Sequence, residues 1–128
     1  MRRRLRITPE LVERVWIEIL AALPADLRRA VDNLAVLLEE EPTPEQREAL
    51  GLPPGENPYG MFEGPTLAER GRGAIAWPSR IFLFRRPLEA DFGHDPFRLR
   101  AEIRRTLLHE LGHYFGLSEE AIERLGLE

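Results

Sequence analysis

The chain has 128 residues, about the length of one domain, so we expect one compact unit with a single hydrophobic core. Hydrophobic residues make up 43% and charged residues 31% of the sequence, a balance typical of folded globular proteins and unlike that of disordered chains. The net charge of -4 argues against binding to nucleic acid or anionic lipid, and the lack of cysteine excludes disulfides, thiol nucleophiles and Cys-ligated metal sites.

The N-terminal arm, residues 1–7, carries the one basic cluster of the chain: Arg2, Arg3, Arg4 and Arg6. We interpret the cluster as part of a short solvated arm, and contact with RNA or an acidic partner is the alternative. We assign the cluster no function. No apolar signal core follows, and no stretch of about 18 apolar residues exists. We therefore expect a cytoplasmic protein without membrane association. The absence of lysine and the scarcity of side-chain amides favour a GC-rich, heat-adapted bacterial source.

Two similar signals open helices in the first half of the chain. Residues 8–10 (Thr-Pro-Glu) provide an N-cap, a proline at the first helical position and an acidic first turn, and predict a helix that ends at Pro24. Residues 43–45 repeat the signal, and the glycine at position 51 supplies a stop about two turns later. Between these helices, the apolar run 31–40 fits a strand, with a helical turn as the alternative.

The second half of the chain predicts two strands and two helices. Residues 59–62 indicate a short irregular strand, and residues 80–85, rich in aromatic and branched side chains, indicate the clearest strand. Residues 95–96 open the longest helix, which ends at Gly116, and a last short helix restarts two residues later. This order predicts an α+β fold over residues 1–128, with a small sheet packed against the N-terminal helix and the long helix.

Residues 109–113, reading H-E-L-G-H, contain the pattern that carries chemistry. Two histidines four residues apart lie one turn apart on a helix, so His109 and His113 can both reach one ion at about 2.0 to 2.1 Å. Glu110 projects beside such an ion, where a carboxylate can accept a proton from water. The histidines also lie outside the apolar stripe of this helix. We therefore predict a Zn²⁺ site, while the same ligands also suit Mn²⁺ or Ni²⁺.

A catalytic zinc site needs a third protein ligand and an open position. Glu119 is the first choice, because it lies three residues after the glycine that ends the long helix. Glu120 and Glu123 are the alternatives, and any of the three can instead be an acidic residue of the following helix. His94 precedes His109 by about 22 Å of helix at 1.5 Å per residue, so we do not expect it to be a ligand.

Gly112 lies inside the long helix, where glycine costs about 1 kcal/mol relative to alanine. One explanation is a structural need, either close packing or space for a substrate. The other is neutral drift, and the sequence does not decide between them. Gly116 differs, because it stands where the helix must stop and the chain must turn back towards the histidines. Only a residue that tolerates positive φ does this at low cost.

Residues 109–119, H-E-L-G-H-Y-F-G-L-S-E, resemble the extended zincin motif H-E-x-x-H-x-x-G-x-x-(H or D) of the metzincins. They are more similar still to the small bacterial single-domain zincin-like metallopeptidases, whose helix reads H-E-x-x-H-x-F-G-[LI]-S/D before acidic residues. Residues 59–65 and 77–84 also resemble segments of that family. The likeness covers most of the chain and implies a minimal zincin-like domain.

The resemblance also implies roles for individual residues. His109 and His113 correspond to metal ligands, Glu110 to the catalytic base and Glu119 to the third-ligand position. Two departures stand out, because metzincins have His or Asp where this chain has Glu119, and no methionine follows the motif to form a Met-turn.

The leading hypothesis is a zinc-dependent metallopeptidase that acts on a peptide or protein, with Glu110 as general base. If residues 81–84 lie at the sheet edge, they can hold an extended peptide by strand addition. Tyr59 would stabilise the oxyanion if its loop folds over the site. The alternative is a non-catalytic zincin-fold binding module with a weak or vestigial metal site, which the small size and the missing Met-turn favour.

Overall fold

The computed structural model describes residues 4–71 and 77–124, apart from the side chain of Glu119. Its elements, in chain order, are α1 (Pro9–Ala22), α2 (Ala25–Ala30), β1 (Leu34–Glu39), α3 (Pro44–Leu50), β2 (Gly60–Glu63), α4 (Leu67–Gly71), β3 (Ser79–Phe84), α5 (Arg85–Phe92), α6 (Pro96–Phe115) and α7 (Glu119–Arg124). This is the predicted α+β class. Among the described helices, none combines the length and the apolar character that crossing a bilayer requires.

The ends of the helices follow from local sequence. The side chain of Thr8 accepts a hydrogen bond from the first turn of α1, and that of Asp95 accepts two in the first turn of α6. At the other end, α3 and α6 stop at Gly51 and Gly116, which adopt φ values of 63° and 71°. A side chain would strain the backbone in this left-handed region, so glycine is the residue that ends these helices at low cost.

The first described residues pack against the domain. The backbone N–H of Leu5 donates to the carbonyl oxygen of Gly93 at 2.8 Å, and that of Ile7 donates to Glu89 Oε2 at 2.7 Å. Ile7 is buried in the main core. Residues 4–7 are thus bound to the end of α5 and the turn after it, unlike the solvated arm expected over residues 1–7, of which residues 1–3 lie outside the described part.

The three described strands form one mixed sheet in the order β1-β3-β2. β3 pairs in parallel with β1 and antiparallel with β2, so it is the central strand. The condition for strand addition at residues 81–84, a position at the sheet edge, is therefore not met, and β2 is the edge strand that lies against α6. The continuous apolar run of β3 is what a strand buried on both faces requires.

The register of β2 determines which backbone groups it leaves open. Phe84 N donates to the carbonyl oxygen of Tyr59 at 2.9 Å, so these two residues form a hydrogen-bonded pair. Because such pairs alternate along an antiparallel ladder, the N–H and C=O groups of Gly60 and Phe62 point away from β3. None of the described strands pairs with this free edge of β2, so another extended chain could pair there.

The main core lies between one face of the sheet and helices α1 and α6. The predicted apolar stripe of α6 is confirmed, since Ile103, Leu107 and Leu111 are buried. The core side chains with the least exposure are Val15, Ile19, Ile81, Leu83, Leu88, Leu99, Ile103, Leu107, Leu108 and Tyr114. A second, smaller cluster on the opposite face of the sheet contains Met61, Phe82 and Phe84.

Ser79, the first residue of β3, is wholly buried and fully hydrogen-bonded. Its hydroxyl donates to the carbonyl oxygen of Pro65 at 2.6 Å and accepts from Arg70 Nη2 at 2.9 Å. We expect Ser79→Ala to lower the free energy of unfolding by about 1–3 kcal/mol, because the carbonyl loses its donor in a buried place. Urea unfolding measures this loss. Combining Ser79→Ala with Arg70→Met should cost less than the sum of the two single changes, and full additivity would contradict a shared hydrogen-bond network.

Candidate metal centre

One face of α6 turns away from the core and carries His109, Glu110 and His113. Its neighbours Leu108 and Leu111 are buried, whereas the side chain of His113 is 56% exposed. The helical period thus separates the chemical face from the packing face, as the sequence predicts.

The two imidazoles meet at the geometry of a shared ion. His109 Nε2 and His113 Nε2 are 3.2 Å apart, and the rings approach edge-on. Two nitrogens bound tetrahedrally to zinc at about 2.05 Å would be about 3.3 Å apart. The separation is thus compatible with two ligands of one ion, and it is also the distance of a direct hydrogen bond between the rings.

Glu110 lies beside the histidines but is mostly enclosed. It is 8% exposed, and its Oε1 lies 3.9 Å from His113 Nε2. Burial removes water from the carboxylate and raises the pKa of Glu110 to about 7. The sequence predicts the position of this carboxylate, but its burial depends on how β2 packs against α6. A Cβ atom at Gly60 would lie 2.7 Å from both Phe82 O and Thr106 Cγ2. Only glycine therefore allows β2 to come this close to α6.

The third ligand is not assembled among the described side chains. Within the described residues there is no group of three or more His, Cys, Asp or Glu side chains that could hold a metal ion. Glu119 begins α7, but its side chain lies outside the described part. Glu120 is exposed and pairs with Arg124 at 3.5 Å, whereas Glu123 lines the same cavity as His109. His94 is exposed in the turn before α6.

A cavity of about 440 Å³ adjoins the histidine face, and we call it the charged cavity. Besides His109 and Glu110, its walls include Tyr59, Gly60, Glu102, Arg105, Thr106, Ile122 and Glu123. Glu102 is nearly buried and accepts a hydrogen bond from Arg98 Nε at 3.1 Å. Glu102 and Arg105 were not predicted as site residues, although their positions seven and four residues before His109 place them on its helix face.

Tyr59 lines the charged cavity, but its hydroxyl is engaged elsewhere. It donates to Asp91 Oδ2, and the ring packs against Phe92 with centroids 5.3 Å apart. The hydrogen bond to Asp91 raises the pKa of Tyr59 to about 12. The proton that an oxyanion would need is already donated to a carboxylate, so the structure does not support the predicted oxyanion role.

Gly112 is the place where α7 packs onto α6. A Cβ atom at this position would lie 1.9 Å from Ile122 Cδ1 and 2.8 Å from Ile122 Cγ1. Of the two explanations left open by the sequence, close packing accounts for this glycine. The space beside it is filled by Ile122, which also lines the charged cavity.

A double-mutant cycle tests this packing. We expect Gly112→Ala to lower the free energy of unfolding by about 1–3 kcal/mol, because overpacking outweighs the better helix propensity of alanine. Ile122→Ala should also destabilise, by about 2–5 kcal/mol. With both changes the protein should be no less stable than with Ile122→Ala alone, as measured by urea unfolding. If Gly112→Ala is as stable as wild type, the side chain of Ile122 can move away from the added methyl group without loss of stability.

Comparisons with known proteins agree with this architecture. Residues 31–127 match the profile of a protein family described as zincin-like metallopeptidase. Among solved structures, the chain is similar to a conserved hypothetical protein from Thermus thermophilus, with 28% identity and a TM-score of 0.50 over 90% of this chain and 94% of that chain. A search of curated proteins found no significant match. The matched range contains the whole sheet and both helices that border the charged cavity.

Proposed function

Because the chain belongs to the zincin-like metallopeptidase family, we propose that it is a zinc-dependent hydrolase of peptide bonds. One observation carries the proposal: the Nε2 atoms of His109 and His113 are 3.2 Å apart, and buried Glu110 lies beside them on the wall of a cavity. The buried carboxylate beside the two imidazoles distinguishes this arrangement from an ordinary pair of histidines one helical turn apart.

In the proposed site, His109 and His113 hold the ion and Glu119 is the third ligand, with Glu123 as the alternative that the cavity supports. Imidazole nitrogen and carboxylate oxygen are the donors that catalytic zinc uses most often. When bound, zinc supplies Lewis acidity, which activates water at neutral pH and polarises a carbonyl group.

Glu110 moves the protons of the reaction. Its carboxylate removes one from the attacking water and delivers it to the nitrogen of the leaving amine, so that water is added across the broken C–N bond. Enclosure by α6 and β2 fixes the side chain and keeps bulk water from competing for it.

The substrate is proposed to be an extended peptide. The free edge of β2 presents the backbone groups of Gly60 and Phe62, and Gly60 also lines the cavity beside Glu110. Strand addition at this edge would hold a peptide next to the histidines. We assign strand addition to β2 and not to residues 81–84, because β3 already pairs with a strand on each side.

The alternative proposal is a non-catalytic binding module. The lack of a complete three-ligand group among the described side chains favours it. Such a module would bind peptides or metal without cutting any bond.

A peptide-cleavage screen separates the two. Zinc-loaded protein is incubated with a peptide library made from a protein digest, and new termini are identified by mass spectrometry. We expect new termini that a chelator such as 1,10-phenanthroline suppresses. Stoichiometric zinc without any new terminus would favour the binding module.

A further inference from the structure

A second cavity, of about 310 Å³, borders the histidine face, and we call it the apolar cavity. Gly60, His109 and Glu110 line both cavities. The other walls of the apolar cavity are Leu50, Met61, Phe62 and His113, whereas the charged cavity has Glu102, Arg105 and Glu123. The reacting groups therefore lie between two spaces of opposite chemical character.

The apolar cavity lies along the free edge of β2. Met61 and Phe62 are neighbours in this strand, and successive side chains of a strand project to opposite faces. Met61 packs with Phe82 in the smaller cluster, while the ring of Phe62 contacts that of Tyr114 in α6. Both residues line the apolar cavity, which therefore borders β2 at the strand to which a peptide would be added.

Leu50 forms the outer wall of the apolar cavity and is 38% exposed at the last position of α3. The fold holds this leucine in place. α3 ends at Gly51, and Arg47 donates to Asn57 Oδ1 at 3.0 Å and to the carbonyl oxygen of Glu56 at 2.7 Å, which ties the helix to the segment before β2. Leu50 is thus presented to solvent on a braced helix beside the reacting groups.

We propose that the apolar cavity is the subsite for a large apolar substrate side chain next to the scissile bond, such as leucine, methionine or phenylalanine. The inference rests on the proposed peptide hydrolysis. An apolar substrate side chain in this cavity would bury the apolar surfaces of Leu50 and Phe62, and its own surface would be removed from water. A carboxylate would lose its hydration, and the side chains of Leu50, Met61 and Phe62 offer it no donor. The charged cavity has both acidic and basic side chains in its walls. It imposes no such preference on the substrate residue at the other side of the scissile bond.

Two peptide series test the subsite. Each keeps one scissile bond and varies the residue before it, or the residue after it, among Leu, Phe, Gly and Asp. For zinc-loaded wild type we expect Leu and Phe to exceed Asp in kcat/KM by about 10- to 200-fold at one of the two positions. Leu50→Gln should remove most of this preference, and Leu50→Met should keep it. Ile17→Gln, at an apolar residue of α1 that is 56% exposed, is the matched control and should change nothing.

Each outcome has a separate meaning. If peptides are cut with equal kcat/KM whatever residue stands at either position, the subsite is overturned and the proposed hydrolysis stands. A preference that persists in Leu50→Gln, with melting temperature unchanged, places the apolar subsite elsewhere and overturns the assignment. If zinc-loaded wild type cuts no peptide, the proposed function fails, and the subsite fails with it.

Discussion

Glu110→Gln is expected to lower kcat for peptide hydrolysis by about 10²- to 10⁴-fold and to leave the zinc content unchanged. Glutamine has nearly the shape of glutamate, so it preserves the packing against β2, but its amide cannot accept the proton of the attacking water. The substitution leaves both histidines in place, with their Nε2 atoms 3.2 Å apart.

Initial rates and metal analysis of the same preparations measure both quantities. Glu18→Gln, on α1 and paired with Arg100, is the control at a carboxylate far from the histidines and should keep wild-type activity. Full activity in Glu110→Gln would show that another group takes the proton. Loss of zinc together with activity would make Glu110 a determinant of metal binding.

His109→Ala and His113→Ala are each expected to weaken zinc binding by more than about 100-fold, because each removes one of few protein ligands. Bound zinc should therefore fall from about one ion per chain to near zero after dialysis, and zinc should no longer raise the melting temperature. His94→Ala is the matched control, since this exposed histidine lies in the turn before α6 and should bind no zinc.

Inductively coupled plasma mass spectrometry gives the stoichiometry, and competition with a chromophoric chelator gives the affinity. Unchanged zinc content in His109→Ala would contradict both the hydrolase and the metal-binding module. Equal loss in His94→Ala would indicate non-specific binding by histidine.

The features that the sequence predicts well are those with local causes. α6 begins at the Asp95 cap and ends at Gly116, as predicted, because the capping bonds and the left-handed turn involve residues only a few positions apart. The same holds for the placement of His109 and His113 on one face, which follows from the helical period alone.

Helix α5, which lacks a capping signal, was not predicted from the sequence. α5 follows β3 directly at Arg85, without a capping side chain, and contains Pro87. A proline in the first turn of a helix loses no intrahelical hydrogen bond, so Pro87 is compatible with α5. The packing of Leu88 into the core and the ion pair between Arg85 and Glu89 stabilise this helix, and neither is a capping signal.

The order of the strands and the walls of the site depend on contacts between distant residues. Tyr59 binds Asp91, which is 32 positions away, and no local pattern predicts that pairing. Leu50 and Ile122 reach the histidine face from α3 and α7, on opposite sides of the motif in sequence. The motif therefore predicts the chemistry of the site, whereas its cavities come from how β2, α3 and α7 pack against α6.

Zinc K-edge X-ray absorption of the zinc-loaded wild-type protein tests whether both histidines of the motif bind one metal ion. It reports the number of imidazole ligands and their distances, whichever carboxylate completes the site. We expect one zinc ion per chain with two imidazole nitrogens at about 2.0–2.1 Å and the remaining donors oxygen. A spectrum with one imidazole or none, or a preparation that retains no zinc, would contradict this expectation.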